Sequence, residues 1–271
     1  NVGKFLKKRL IQEKVNVTQL KKDKIKQTGL CILSIYKPDS HPRDIFAQDS
    51  ASFNHQVEDI NVKQLKNLKI IVINGSHFAK KNTRLVCEKI IKFAKINKIK
   101  LVMDVDYRPA LWGLISASQG NTMYIRSSNV TKILQKYINK FDYVVGTNDE
   151  INILGGSNQI NNSINIVSKL MNTGVIVHKL GKQGCRIYDI NSRKRRIFKV
   201  KSFKSTVVNA QGAGDSFLSG FVKGLISNLP LSKCGLIANA CGAITVSRHA
   251  CSDSSPSMDE INFYLSSKNK Q

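Results

Sequence analysis

Apolar, β-branched runs of strand length recur at residues 69–73, 100–104, 141–145 and 175–178, and amphipathic stretches of helix length lie between them at 82–97, 131–138 and 163–171. Strands that alternate with helices form βαβ units, and βαβ units build a mainly parallel sheet with helices on both faces. Two closer strands follow, 185–188 and 195–200, joined by a polar turn over 189–194. They read as a hairpin, which adds an antiparallel edge to the sheet. Two helices, 214–226 and 231–248, close the pattern. Earlier, residues 28–36 alternate as a strand does and precede a polar stretch through Asp49. This segment, 28–52, is expected to form a small accessory sheet or lid. No internal repeat or low-complexity linker interrupts the chain, so residues 1–271 read as one domain, an α/β three-layer sandwich.

A chain of 271 residues can bury a sizeable core. No apolar stretch reaches the ~18 residues of a membrane helix. The amino-terminal segment is basic and amphipathic and has no apolar signal-peptide region. The expected location is therefore the cytoplasm. Val2, Phe5, Leu6, Leu10 and Ile11 fall on one helical face, and the chain does not start with Met. A domain that opens inside a helix is expected to lack something upstream. The formal charge is +25, from 43 Lys+Arg against 18 Asp+Glu. Lysine occurs in nearly every segment, whereas a nucleic-acid footprint needs a clustered basic face, so no specific nucleic-acid partner is expected. The six cysteines contain no C-x-x-C pair and the five histidines show no metal-ligand spacing. Free thiols follow, with neither a zinc site nor a disulfide framework.

In folds of this kind ligands gather where strands end and helices begin. The sharpest signal there is Asn209-Ala210-Gln211-Gly212-Ala213-Gly214-Asp215-Ser216-Phe217, just before a helix. Small residues let the backbone approach an anion, and the helix start supplies free N–H groups. Asp215 is placed to take a proton from an attacking hydroxyl. An Asp that merely stabilises a helix start after a Gly-rich turn is the alternative. Three further runs also follow strands: 146–150, Lys179-Leu180-Gly181-Lys182-Gln183-Gly184, and Asp104-Val105-Asp106-Tyr107-Arg108-Pro109-Ala110-Leu111-Trp112-Gly113. In the last of these, Arg108 offers a fixed fork for a carboxylate; a local Asp106–Arg108 ion pair that holds the loop is the alternative.

Together these motifs resemble the ribokinase-like (PfkB) carbohydrate kinases over essentially the whole chain. The resemblance implies that Asp215 is the catalytic base and that Gly212, Ala213 and Gly214 form the hole for the transferred phosphoryl group. Gly146-Thr147-Asn148-Asp149-Glu150 is similar to the family's N-x-x-E element, which makes Glu150 the carboxylate that helps hold Mg²⁺ and its waters. Thr147 stands in the usual Asn position. Lys179, Gly181 and Gly184 would belong to the nucleotide-phosphate turn. Asn239, Gly242 and Ala243, in a helix rich in small residues, would lie by the adenine of ATP, although helix packing would need the same small residues.

The 104–113 run resembles the 5-dehydro-2-deoxygluconokinase branch, which acts in myo-inositol catabolism, with Asp106, Arg108 and Thr28 as substrate-binding residues. The implied reaction is ATP-dependent phosphorylation of a keto-deoxy sugar acid at its terminal hydroxyl. Alternatives are 2-dehydro-3-deoxygluconate or another sugar as substrate, or an inactive nucleotide-binding remnant. His249-Ala250-Cys251-Ser252-Asp253 matches a region where the family can hold a monovalent cation such as K⁺. Gln48 stands where a basic lid residue is expected before Ser50-Ala51. The family's opening strand and Gly-Gly turn have no counterpart, so the first strands and half the sugar pocket are expected to be missing. Lid strands in this family often pair into a homodimer, a further expectation here.

Overall fold

The computed structural model describes residues 2–34, 43–191 and 195–268. The chain begins with helix α1 (Val2–Gln12) and then forms strands β1 (Leu30–Leu33) and β2 (Arg43–Phe46), which pair antiparallel. The expected strand over 28–36 is thus shorter at its start, and residues 35 and 36 lie outside the described residues, as do residues 192–194 of the expected turn. Short 3₁₀ turns lead to β3 (Ile70–Asn74), α2 (Lys81–Ile96), β4 (Lys100–Asp104), α3 (Ser128–Ile138), β5 (Tyr143–Gly146), α4 (Asn148–Gly155), α5 (Ile160–Met171) and β6 (Val175–Lys179). Then come β7 (Cys185–Asp189), β8 (Arg196–Val200), α6 (Ala213–Ile226), α7 (Leu231–Val246) and α8 (Met258–Lys268).

The large sheet has the order β3-β4-β5-β6-β7-β8. Neighbours from β3 to β6 are parallel, and β7 and β8 turn antiparallel. Strand residues alternate between two cores, as the period of a strand dictates. Leu101, Met103, Val144 and Ile176 face α2, α3, α4 and α5, where Val86, Leu134, Leu154 and Val167 are also buried. Val102, Val145, Val177 and Ile187 face the opposite side, where Phe217 and Phe221 of α6 and Ala238 of α7 close the layer. This explains why the strands read as continuous apolar runs, since both of their faces are buried.

The helix at the start of the chain forms as its spacing predicts, yet none of its side chains is buried and Phe5 is 67% exposed. Its Arg9 pairs with Asp253 at 2.6 Å, which ties α1 to the segment after α7. Two helices, α4 and α8, escape the sequence pattern. Among the described residues no helix is long and apolar enough to cross a membrane, and all six cysteines are free.

Candidate active site

Three parallel strands, β4, β5 and β6, end side by side and deliver acids and a base to one place. Asp104 closes β4, Lys179 closes β6, and Glu150 lies in the first turn of α4, just beyond β5. Lys179 Nζ is 3.3 Å from Asp104 Oδ1 and 3.3 Å from Glu150 Oε2. The lysine side chain is only 12% exposed, so both contacts are shielded from water.

Glu150 is fixed by its own helix start. Thr147 caps α4, its backbone N–H donates to Glu150 Oε2 at 2.7 Å, and the Glu150 N–H donates back to Thr147 Oγ1 at 3.4 Å. This capping box satisfies two donors reciprocally, so threonine in the usual asparagine position still aims the carboxylate inward. At 4% exposure Glu150 is a buried acid rather than a solvated first-turn one. The neighbouring Asn148 side chain meets His178 Nε2 at 2.5 Å. Burial, then the charge of Arg186, pushes His178 down to about 4, so the ring is neutral near pH 7.

Beyond β4 the chain turns sharply, with Asp106 at φ +33°. Its carboxylate accepts from Asn74 Nδ2 at 2.7 Å and pairs with Arg108 at 3.1 Å. Arg108 also reaches to 3.8 Å from Glu150 Oε1. The local Asp106–Arg108 pair therefore exists, and it joins the larger cluster instead of standing alone.

The fourth contribution comes from α6. Gly212 takes a left-handed conformation (φ +77°) and caps the helix, the Asn209 carboxamide accepts from the Gln211 N–H at 2.9 Å, and Ala213 donates weakly to Ala210 O at 3.4 Å. The N–H groups of Gly214 and Asp215 have no acceptor among the described residues, as the first turn of a helix requires. Gly214 faces Lys179, since a Cβ on it would lie 3.9 Å from Lys179 Nζ. Asp215 feels the charges of Asp106, Lys179, Arg108 and Glu150, and desolvation followed by Asp106 raises its pKa. Desolvation likewise pushes Asp104 up to about 7, against the pull of Lys179. Burial opposes the Lys179 charge, but Asp104 and Glu150 more than offset it and its pKa is raised.

A cavity of about 390 Å³ opens beside this cluster, lined by Thr147, Asn148, Asp149, Lys179, Lys182 and the open backbone of Gly181. Gly184 closes the same turn at φ +91°, where a Cβ would meet Val200 O at 2.1 Å. Gly184→Ala should therefore cost about 1–3 kcal/mol, read as a lower urea midpoint, whereas Gly181→Ala, with nothing within 4 Å, should cost less.

Not every residue singled out from the sequence joins the cluster. Thr28 precedes β1, and no hydrogen bond or ion pair links it to the acids among the described residues. Asn239 is buried in α7 and donates to the carbonyls of Val200 and Lys201, both at 3.1 Å. Helix α7 packs closely on α6, whose Gly220 and Gly224 face Cys241 and Cys234, while Gly235 of α7 approaches Ile187 and Val200 of the sheet. A Cβ on Gly242 would lie 3.7 Å from Ala213 O, and Ala243 is 5% exposed. Sequence reasoning missed Asp104 as a site residue and missed the inward reach of Lys179.

Comparison with known proteins gives a consistent result. The family model described as pfkB family carbohydrate kinase matches residues 1–258. A 5-dehydro-2-deoxygluconokinase of Bacillus subtilis (strain 168) is 26% identical over 265 residues, spanning 96% of this chain and 76% of its own. The 5-dehydro-2-deoxygluconokinase of Listeria monocytogenes is 25% identical over 261 residues, at 96% and 76% coverage. Among solved structures, a putative ribokinase II from E. coli superposes with a TM-score of 0.82 at 18% identity, covering 98% of this chain and 80% of its own. Fructokinase from Vibrio cholerae O395 gives 0.78 at 18% identity, covering 97% and 81%.

Proposed function

Because the chain belongs to the pfkB family of carbohydrate kinases, we propose that it phosphorylates the terminal hydroxyl of a keto-deoxy sugar acid, 5-dehydro-2-deoxygluconate, with ATP as donor. The observation that carries this reading is the convergence of a guanidinium fork, Arg108, with Asp215 and Glu150 at the ends of adjacent elements. A carbohydrate kinase needs the two acids; a carboxylate-bearing substrate gives Arg108 its use. Relatives named 5-dehydro-2-deoxygluconokinase point to the same substrate.

Asp215 removes the proton from the sugar hydroxyl, and the oxygen forms a bond to the γ-phosphorus. The bond from that phosphorus to the bridging oxygen breaks and ADP leaves with the electron pair. The free N–H groups at the start of α6 and the Lys179 ammonium face the charge that develops on the phosphoryl oxygens. The cavity above Gly181, with Lys179 and Lys182 on its wall, suits a nucleotide's phosphates. Among the described residues no three His, Cys, Asp or Glu side chains converge as a metal cage. The buried Glu150 carboxylate is the group that would hold a divalent ion such as Mg²⁺ together with phosphate oxygens and waters. Such an ion would supply charge neutralisation to the phosphates. A K⁺ ion along 249–253, where His249 O accepts from Asn209, belongs to the same reading.

The test is ADP release by the purified chain with Mg-ATP and 5-dehydro-2-deoxygluconate, beside 2-dehydro-3-deoxygluconate and ribose. Turnover favouring the first substrate supports the proposal. Preference for the second would move the assignment to the other acid, and no turnover from a folded sample would overturn the kinase reading for this chain. The raised pKa of Asp215 adds a pH signature. A base must be deprotonated to act, so kcat/KM should fall on the acid side along a limb that lies above the ordinary Asp value of about 3.9. A limb at or below that value would contradict the role.

A further inference from the structure

Strand β3 runs out in Asn74-Gly75-Ser76, beside the turn that follows β4. Gly75 lets the two segments meet, since a Cβ on it would lie 2.3 Å from Val105 O. Its two neighbours then engage Asp106. The side-chain amide of Asn74 donates to Asp106 Oδ2 at 2.7 Å. The Ser76 hydroxyl, in a residue only 2% exposed, has Asn74 Oδ1 at 2.7 Å and Asp106 O at 2.9 Å as acceptors for its one proton. Asn74 Oδ1 also accepts from the Ser76 N–H at 2.9 Å. With the amide oxygen committed to Ser76, the amide nitrogen is the end that faces Asp106.

The two oxygens of Asp106 are thereby divided. Asn74 holds Oδ2, and Oδ1 is left for Arg108 Nη2 at 3.1 Å. The other terminal nitrogen of Arg108 lies 3.8 Å from Glu150 Oε1. A long side chain loses rotamer freedom when it grips a ligand, and a fork braced beforehand avoids much of that loss on binding. Asp106 itself sits at φ +33°, a conformation that persists where surrounding contacts hold it. Here those contacts come from β3, one strand away from the residue they hold.

We infer that Asn74 and Ser76 are positioning residues for substrate recognition: from the end of β3 they clamp Asp106, and Asp106 in turn aims Arg108 at the carboxylate of the substrate. The inference rests on the sugar-acid reading, in which Arg108 has that use. It adds to it two residues that act through Asp106 and Arg108 rather than on the substrate itself.

A double-variant cycle tests it, with kcat/KM for 5-dehydro-2-deoxygluconate as the readout. Asn74→Ala should lower kcat/KM by about 10- to 100-fold, the range for losing a hydrogen bond to a charged group. In an Arg108→Gln background the same substitution should lower it by less than about twofold, because the group it positions is gone. Losses of similar size in both backgrounds, as a purely structural role would give, or no loss in either, would overturn the inference. Should Asn74→Ala fail to fold, Ser76→Ala repeats the cycle, with a loss of about 3- to 10-fold expected when Arg108 is present and the same outcomes deciding. If wild type turns over no sugar, the kinase reading fails on its own, and the cycle is read from calorimetric dissociation constants for the same acid. Weakening confined to proteins that keep Arg108 supports the clamp; equal weakening, none, or no binding by wild type overturns it.

Discussion

Asp215→Asn should lower kcat by about 10²- to 10⁴-fold, the range expected for loss of a general base, and should shift the dissociation constant for ATP by no more than about threefold. The substitution keeps the shape and the helix-start position while removing the proton acceptor. It also separates catalysis from structure. An acid that only stabilised the first turn of α6 would contribute about 0.3–1 kcal/mol through the helix dipole, and its replacement would lower the melting temperature. Asp215 is in the opposite situation. Desolvation and the nearby Asp106 charge disfavour its ionised form, and no hydrogen bond to its carboxylate is formed among the described residues. Neutral Asn relieves that repulsion, so stability should hold or rise as turnover collapses. Unchanged turnover, or a parallel fall of both, would remove Asp215 from the chemistry.

The large sheet was legible because β4, β5 and β6 are buried on both faces and appear as short apolar runs, and because β7 and β8 follow closely enough to read as a hairpin. The expected boundaries differ from those observed by a residue or two; the 100–104 strand matches the observed one, Lys100–Asp104. Helix α4 was not legible because it has only eight residues and begins with Thr147, Asn148 and Asp149, which favour turns as readily as helix starts. Strand β2 has four residues in a polar stretch, too few for alternation to register. The stripe on α1 illustrates another limit. Its spacing reveals an amphipathic helix but says nothing about what covers it, and none of its side chains is buried.

Within the site, the residues visible in the sequence were those in compact local patterns after strands: Glu150, Asp215, and Asp106 with Arg108. Lys179 and Asp104 are 75 positions apart, and only the strand order β4-β5-β6 brings them together. No local pattern encodes that meeting. A lysine before a glycine turn suggests phosphate binding, while its reach toward two acids depends on tertiary structure.

Lys179→Met should destabilise the protein by about 3–5 kcal/mol near pH 8, the cost of leaving buried charge without its partner. The side chains of Asp104 and Glu150 are 7% and 5% exposed. Methionine fills the stem's volume but leaves the two carboxylates facing each other. The deficit should depend on pH, with a definite sign. Desolvation already holds Asp104 at about 7, and Lys179 is the charge that pulls this value down, so the variant's value must lie higher. Its folded state then keeps a proton that the unfolded chain releases near the ordinary Asp value. Stability contributed by that protonated form is present in acid and is lost as pH rises through the folded pKa. Urea midpoints should therefore show a larger deficit at pH 8 than at pH 6. Asp104→Asn added to Lys179→Met should recover much of it, because the second change removes one of the uncompensated charges. A deficit of the same size at both pH values, or a double variant no more stable than the single, would mean that Lys179 acts through packing rather than as the counter-charge of the buried acids.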